Sequence, residues 1–243
     1  MKSSFPNLII GLAIVIASIL FANAYKYKFK SSEIISVTGI AEKNFTSDLI
    51  VWKASFERKT LLLKDAYTLI KKDEDEIRAY LKTKNVTPSE TAFSSITITK
   101  EFSDNFDAKG NKINPTFTGY KLSEDVSVES QQIDKIEKVS REVTQLVENG
   151  IEINSYEPSY YYTKLSDLKI DLLAKASADA KKRAETIAEN SGSSLGKIRS
   201  AAMGVFQITG QNSNEAYSEG GTFNTSSINK KATITIRIEY GVK

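Results

Sequence analysis

The sequence predicts an α+β fold, in which an antiparallel or mixed sheet packs against three helices. Segments in which every second residue is apolar alternate along the chain with segments of helical spacing. The order strand, helix, strand, strand, helix, strand over residues 48–162 is that of a ferredoxin-like split βαβ unit. A third helix and two final strands then extend this unit. Together these observations predict one domain of mixed class.

The first half of the domain begins with a predicted strand at residues 34–41 and a polar turn at 44–47. A strand at 48–58 directs one face inward, with Ile50, Trp52, Ala54 and Phe56 on it. A helix at 61–84 follows, with the apolar stripe Leu63, Tyr67, Ile70, Ile77 and Leu81. Strands at 92–102 and 117–129 are then predicted to form a hairpin across a polar stretch whose turn lies at 107–110.

The second half continues with a helix at 132–148, which Asn149-Gly150 ends, and a strand at 151–162. The third helix covers 165–190. Every fourth residue on one of its ridges is leucine or alanine: Leu172, Ala176, Ala180, Ala184 and Ala188. Small side chains let another element approach closely. Final strands at 195–209 and 231–240 enclose residues 210–230, a polar segment predicted to be a mobile loop.

Residues 1–30 are predicted to be a signal peptide or an N-terminal membrane anchor, and 31–243 the domain. The apolar run 8–21 follows Lys2 and precedes Ala22-Asn23-Ala24, the pattern of a signal peptide. The run is shorter than the roughly 20 residues of a transmembrane helix. The basic residues after it (Lys26, Lys28 and Lys30) favour an uncleaved anchor instead. We therefore expect a periplasmic or cell-envelope location, either secreted after cleavage near Ala24 or anchored in the inner membrane.

Composition excludes several kinds of chemistry. The chain has no cysteine and no histidine, so disulfides, thiolate zinc sites and imidazole bases are excluded. Four of its 33 basic residues flank the apolar run, and the remaining 29 nearly balance the 30 acidic residues. A near-neutral domain is not expected to bind nucleic acid. No motif predicts a catalytic residue, a cofactor or a metal, and Asp104, Asp107 and Asn111 do not have calcium-loop spacing.

Two groups of residues are candidates for a contact between subunits. Tyrosines cluster on the strand at 151–162, and alanines form the ridge of the third helix. The possible interface residues are Tyr156, Tyr160, Tyr161, Tyr162, Ala176, Ala180 and Ala184. Strand packing is the alternative for the tyrosines. The acidic run 73–76, which lies among lysines on a helix, is predicted to be an exposed, charge-paired face.

Several short segments, in this order and spacing, resemble the SIMPL-domain family of bacterial envelopes. They are Ile35-Ser-Val-Thr-Gly39, Gly119-Tyr-Lys-Leu122, Val126-Ser-Val128, Asn149-Gly150-Ile151, Ala180-Lys-Lys-Arg-Ala184 and Leu195-Gly196-Lys197. The resemblance covers about 33–242. It implies an exported α+β domain of unknown function that can assemble into ring-like or channel-like homo-oligomers. Relatives include a periplasmic immunogenic protein and one linked to oxidative-stress defence, and the family has no established catalytic residues to carry over.

Three functions follow as hypotheses. The first is a non-enzymatic oligomeric scaffold or stress-protection protein, assembled through β-edges, the alanine ridge or the tyrosines. The second is an envelope module that binds a ligand or partner through the 210–230 loop or the tyrosine strand. The third, an enzyme, is the least favoured because no motif marks its chemistry. A membrane contact is expected only through an uncleaved N-terminal segment.

Overall fold

The computed structural model describes the backbone of residues 5–30 and 33–243, and the side chains of residues 10–26 and 33–243. Lys2 lies outside the described residues, and the side chains of Lys28 and Lys30 lie outside the described side chains. The helices are α1 (Phe5–Lys30), α2 (Leu63–Thr83), α3 (Ile133–Glu142) and α4 (Leu165–Asn190). The strands are β1 (Ile34–Thr46), β2 (Leu49–Thr60), β3 (Thr91–Phe93), β4 (Thr97–Phe106), β5 (Lys112–Ser130), β6 (Glu152–Ser155), β7 (Ser159–Tyr161), β8 (Leu195–Met203), β9 (Gln207–Gly210) and β10 (Asn229–Val242).

The predicted α+β class and split βαβ unit are confirmed. β5 and β2 form the centre of a six-stranded antiparallel sheet, with β3 and β4 beyond β5 and with β6 and β7 beyond β2. That order is the ferredoxin-like one, and we call it the ferredoxin-like sheet. Its core is formed by the predicted face of β2 together with α2 and α3, with Trp52, Phe56, Ile70 and Ile136 fully buried.

A second, four-stranded sheet contains both ends of the domain, and we call it the terminal sheet. β1 pairs with β10 along its whole length, from Ile34 opposite Gly241 to Thr46 opposite Asn229. β8 and β9 pair with the other side of β10. The prediction of a turn at residues 44–47 is therefore wrong for residues 44–46, because these polar residues pair with β10 as part of a strand. The final strands form this separate sheet, on which α4 packs, and they do not add strands to the ferredoxin-like sheet.

The alanine ridge of α4 packs on the terminal sheet. All four of its alanines are fully buried, together with Leu172. A Cβ placed on Gly39 of β1 would lie 2.6 Å from the Ala180 nitrogen and 2.7 Å from its Cβ. The close approach that the small side chains predicted is thus confirmed, and glycine on the strand is needed to permit it.

Other elements differ from the prediction in detail. Leu63 and Tyr67 of the predicted stripe are exposed, because the buried face of α2 runs through Ala66, Asp73 and Glu74 instead. Ile70, Ile77 and Leu81 are buried. The strand predicted at 151–162 is divided into β6 and β7 around Pro158, which cannot donate a ladder hydrogen bond. α3 ends in a 3₁₀ turn, Val143–Asn149, and Gly150 ends it at a φ of 80° as predicted.

The N-terminal segment forms a continuous 26-residue helix that includes Ala22-Asn23-Ala24. Its described side chains, residues 10–26, are all exposed. Within the part of the chain whose side chains are described, no helix combines the length and apolar character needed to cross a membrane.

Candidate functional site

A β-hairpin extends beyond the ferredoxin-like sheet. β2 ends at Thr60, which lies opposite Tyr120 of β5. Residues 112–119 of β5 therefore have no β2 partner and pair only with β4. We call residues 97–118 the arm; its part from residue 101 onward lies beyond β2 and has only two strands. The sequence predicted its turn correctly, but placed the strand ends at 102 and 117 and so missed most of the ribbon.

The arm exposes large apolar side chains that a monomer would be expected to bury. Ile98, Phe102, Phe106, Ile113 and Phe117 are between 37% and 62% exposed. The Phe102 and Phe117 rings pack edge to face across the two strands, with centroids 5.6 Å apart. Exposed apolar side chains grouped on one hairpin make the arm a candidate surface for contact with another molecule.

The tip of the arm is held by Asp107. Its carboxylate accepts hydrogen bonds from the backbone N–H groups of Lys109 and Asn111, at 2.8 and 2.9 Å, and from the Asn111 side chain. Those bonds, the Asn111 side-chain one foremost, lower the pKa of Asp107. Asp104 forms an ion pair with Lys112 instead. Asp107 thus rigidifies the turn, and within the described residues no three acidic groups converge on a metal-sized site.

Among the described residues, the outer strands β4 and β8 have open edges of comparable length. β4 pairs with β5 on one side only, and β8 pairs with β10 on one side only. β8 exposes Ile198 and Met203, each more than half accessible. It carries Lys197 and Arg199 and no acid, whereas β4 carries Glu101 and Asp104 against one lysine. The two edges therefore have apolar side chains in common and opposite net charge.

The remaining outer strands are less open. β6 and β7 have only four and three residues. On β1, the Ile40 N–H donates to the Asp179 carboxylate of α4 at 3.0 Å, so the helix already occupies part of that edge. Asp179 has a lowered pKa, chiefly because it accepts this hydrogen bond.

The four tyrosines do not form one surface. Tyr160 is buried in the core and its hydroxyl donates to Glu137 at 2.5 Å, and burial together with this bond raises the pKa of Tyr160. Tyr162 packs on Phe45, at 4.9 Å between centroids, and Tyr161 faces Phe223. Neighbouring side chains of a strand point to opposite faces, so these tyrosines do not share one surface. Of the four, only Tyr156 is more than half exposed.

Tyr156 borders a cavity of about 420 Å³ between α3 and the β6–β7 connection. Its hydroxyl shares a 2.9 Å hydrogen bond with Ser55. Glu137, Arg141 and Tyr160 line the same cavity. This is a concave site beside the tyrosine strand, which is the geometry that a binding module requires.

The alanine ridge is not available to a second subunit. Ala176, Ala180 and Ala184 have no exposed surface, because β1 and β10 of the same chain cover them. Their prediction as interface residues is therefore corrected: the small side chains serve packing within the chain.

The acidic run on α2 was predicted to be an exposed face, and this is wrong for two of its residues. Asp73 and Glu74 are buried beneath α2. Asp73 accepts a bidentate hydrogen bond from Arg58 of β2, while Glu74 pairs with Lys71 and Arg78. Arg58 thus supplies the positive charge that permits burial of the Asp73 carboxylate.

Glu124 of β5 belongs to the same buried group and was not foreseen. It is 4% exposed, and its Oε2 atom has no hydrogen-bond partner among the described residues. Burial is the main cause that raises the pKa of Glu124, and the nearby negative charge of Glu74 raises it further. A signal for it existed: Glu124 interrupts the alternation of Leu122 and Val126 at an inward position.

The comparison with protein families gives one match. The model of the SIMPL family, described as proteins of unknown function (DUF541), matches residues 35–240. No curated protein matches the chain. The matched residues include every strand of both sheets and every helix except α1.

Proposed function

We propose that this chain, which belongs to the SIMPL family, is a non-enzymatic envelope protein whose copies assemble into a homo-oligomeric scaffold. The observation that carries the proposal is the apolar arm, residues 97–118. Assembly through a β-edge would cover the arm with another copy of the chain. The assembled form would then carry out the stress-protection role.

The arm needs a partner on physical grounds. An isolated two-stranded ribbon is only marginally stable in water, and an open strand edge is a template for pairing with another chain. Here both faces of the ribbon are solvent-accessible and its outer strand, β4, has an unpaired edge. Covering it with another copy would bury its phenylalanines and satisfy its backbone groups.

The β8 edge of the next copy is the partner that fits best. It offers an unpaired backbone, the exposed Ile198 and Met203, and the cations Lys197 and Arg199. These cations would join Lys59 and Lys112, which already pair with the acids of β4. Because β4 and β8 are different surfaces of one chain, the contact is head-to-tail. Repeated head-to-tail contacts close into a ring where the rotation permits.

The envelope location rests on α1. The apolar side chains within residues 10–21 are exposed, so the export machinery or lipid would receive them. Cell fractionation and N-terminal sequencing of the isolated protein test this. A mature N-terminus close to Ala24 indicates a signal peptide, and an intact one in the membrane fraction indicates an anchor. Intact protein dissolved in the cytoplasm would contradict export.

Assembly is tested with the full chain purified in mild detergent. Sedimentation equilibrium should give a multiple of the chain mass for the wild type. The double variant Phe102→Ser, Phe106→Ser should sediment as a monomer, because both rings lie on the exposed arm. The matched control Ile170→Ser removes a side chain that is 69% exposed on α4, and should assemble normally.

A wild-type protein that stays monomeric at high concentration would contradict the proposal. So would an arm variant with unchanged mass. The circular dichroism spectrum of each variant shows whether the fold is retained.

The alternative function, an envelope binding module, is favoured by the cavity beside Tyr156. Its Arg141 and Glu137 give it polar groups of both charges. If this function holds, the protein remains monomeric or dimeric and Tyr156→Ala abolishes ligand binding. Unchanged ligand binding in that variant would count against the cavity.

A further inference from the structure

We propose that Lys230 and Asn224 form an intramolecular isopeptide bond, which attaches the 210–230 loop covalently to β10. This inference is independent of assembly and of location. It concerns three side chains that the interface does not use: Lys230, Asn224 and Glu215.

The amine of Lys230 lies against the carboxamide that it would attack. Lys230 is 1% exposed, although it is a lysine, and Asn224 is 7% exposed. The Lys230 Nζ atom donates to the Asn224 backbone oxygen at 2.6 Å and to its side-chain Oδ1 at 3.3 Å. Nucleophile and acyl group are therefore held together before any reaction, which is the arrangement that accelerates intramolecular chemistry.

The carboxamide is fixed as well as close. Asn224 Oδ1 accepts a hydrogen bond from the Ser227 backbone N–H at 2.9 Å. The Asn224 backbone N–H donates to the Ile208 oxygen at 2.8 Å, which anchors the loop to β9. The donor on Oδ1 also polarises the carbonyl group, so the carbon becomes more electrophilic.

Burial makes the lysine a competent nucleophile. Desolvation lowers the pKa of Lys230 to about 8, against a smaller opposing effect of Glu215. A sizeable fraction of the amine is then neutral near neutral pH, and a neutral, desolvated lysine amine is nucleophilic. The half-buried neighbour Lys231 pairs instead with Glu42, which raises the pKa of Lys231 and favours its charged form.

Glu215 is placed to transfer protons. One of its oxygens accepts a hydrogen bond from the Asn224 side-chain nitrogen, which would leave. The other accepts from the Gly210 backbone N–H at 2.9 Å, which fixes the carboxylate. A positioned carboxylate can accept a proton from the attacking nitrogen and return it to the leaving nitrogen.

The reaction balances without an added reagent. The Lys230 Nζ lone pair forms a bond to Asn224 Cγ, and the carbonyl oxygen carries the developing negative charge. A proton passes from Nζ through Glu215 to Nδ2. The carbonyl re-forms, the Cγ–Nδ2 bond breaks, and ammonia leaves. The product is an amide between two side chains, and nothing is oxidised or reduced.

Peptide mass spectrometry of the purified full chain tests the bond. Cleavage at arginine releases residues 200–237, which contain all three groups. The isopeptide predicts a peptide lighter by one ammonia molecule, with no backbone fragments from within residues 224–230. Lys230→Met and Glu215→Gln should each restore the unmodified mass, and neither adds an arginine cleavage site. Lys231→Met, the matched control, should leave the bond intact.

Two results would overturn the inference. A peptide of unmodified mass means that Lys230 is only a buried, hydrogen-bonded lysine. Ammonia loss that persists in Lys230→Met, with fragments present throughout residues 224–230, means that Asn224 has cyclised on its own backbone instead. The wild-type measurement alone suffices if a variant fails to fold.

Discussion

Gly39→Ala should destabilise the domain by disturbing the contact between α4 and β1. The added Cβ would lie 2.7 Å from the Ala180 Cβ, whereas ordinary contacts begin near 3.4 Å. It would also meet the Ala176 and Ala180 backbones, which cannot rotate away as a side chain can. The Ala180 Cβ alone requires α4 to retreat by about 0.7 Å, and a gap of this size weakens dispersion along the ridge by roughly a quarter to a half. The Ala176 backbone oxygen lies closer still and requires a larger retreat.

The expected cost can be worked from these contacts. Overpacking of this kind costs about 1–3 kcal/mol. The same retreat stretches the hydrogen bond from the Ile40 N–H to Asp179, now 3.0 Å, which adds about 1 kcal/mol. The sum of about 2–4 kcal/mol corresponds to a fall in Tm of roughly 4–16 °C for a chain of this size.

Urea denaturation followed by circular dichroism measures this free energy of unfolding. Gly220→Ala is the matched control, because a Cβ there meets nothing within 4 Å and the residue has ordinary φ. The control should lie within about 0.5 kcal/mol of the wild type. Equal stability of the two variants would refute the reasoning, since it would mean that α4 does not press on Gly39.

Two further predictions concern pH and two carboxylates, Glu90, which is partly buried, and Glu124, which is buried. Burial raises the pKa of Glu90, but hydrogen bonds from Ser130 and Thr87 outweigh it and bring the pKa to about 2. The resulting stability, up to about 3 kcal/mol, is present above the unfolded pKa of 4.5 and lost as pH falls toward 2. Urea titrations at pH 6 and pH 3 should show a smaller acid loss in Glu90→Gln, and equal losses would contradict this. The raised pKa of Glu124 has the opposite sign, so its contribution declines as pH rises above 4.5. Glu124→Gln should exceed the wild type in stability at pH 8 and approach it at pH 4, and a constant difference would argue against the buried charge.

The local pattern predicted much of the fold because one face of each element is buried. The alternation at Ile50, Trp52, Ala54 and Phe56 gave the core strand, and the helix at 165–190 has the predicted bounds. Pairing partners were harder to predict. β1 and β10 lie at opposite ends of the chain, and nothing local indicates that they form a sheet of their own.

The buried charges were missed for a related reason. Asp73 and Glu74 are surrounded by lysines in sequence, which is typical of an exposed helix face. The burial of Asp73 depends on Arg58, an inward residue of β2 that only the folded chain brings beside α2. Glu74 is paired instead with Lys71 and Arg78 of its own helix. The strands of the arm were not predicted beyond residue 102, because polar residues separate Phe102 from Phe106. These two phenylalanines are four residues apart, which places them on one face of a regular strand.

The measurement that tests the account most directly is cross-linking between the two proposed edges. The chain has no cysteine, so thiols can be placed at chosen positions. Ser103 of β4 and Ala202 of β8 are both exposed. With Ser103→Cys and Ala202→Cys in one chain, a short bis-maleimide should yield a ladder of cross-linked multimers, while each single variant should remain uncross-linked. Dimers from the single variants, or no ladder from the double variant, would contradict head-to-tail assembly through the arm.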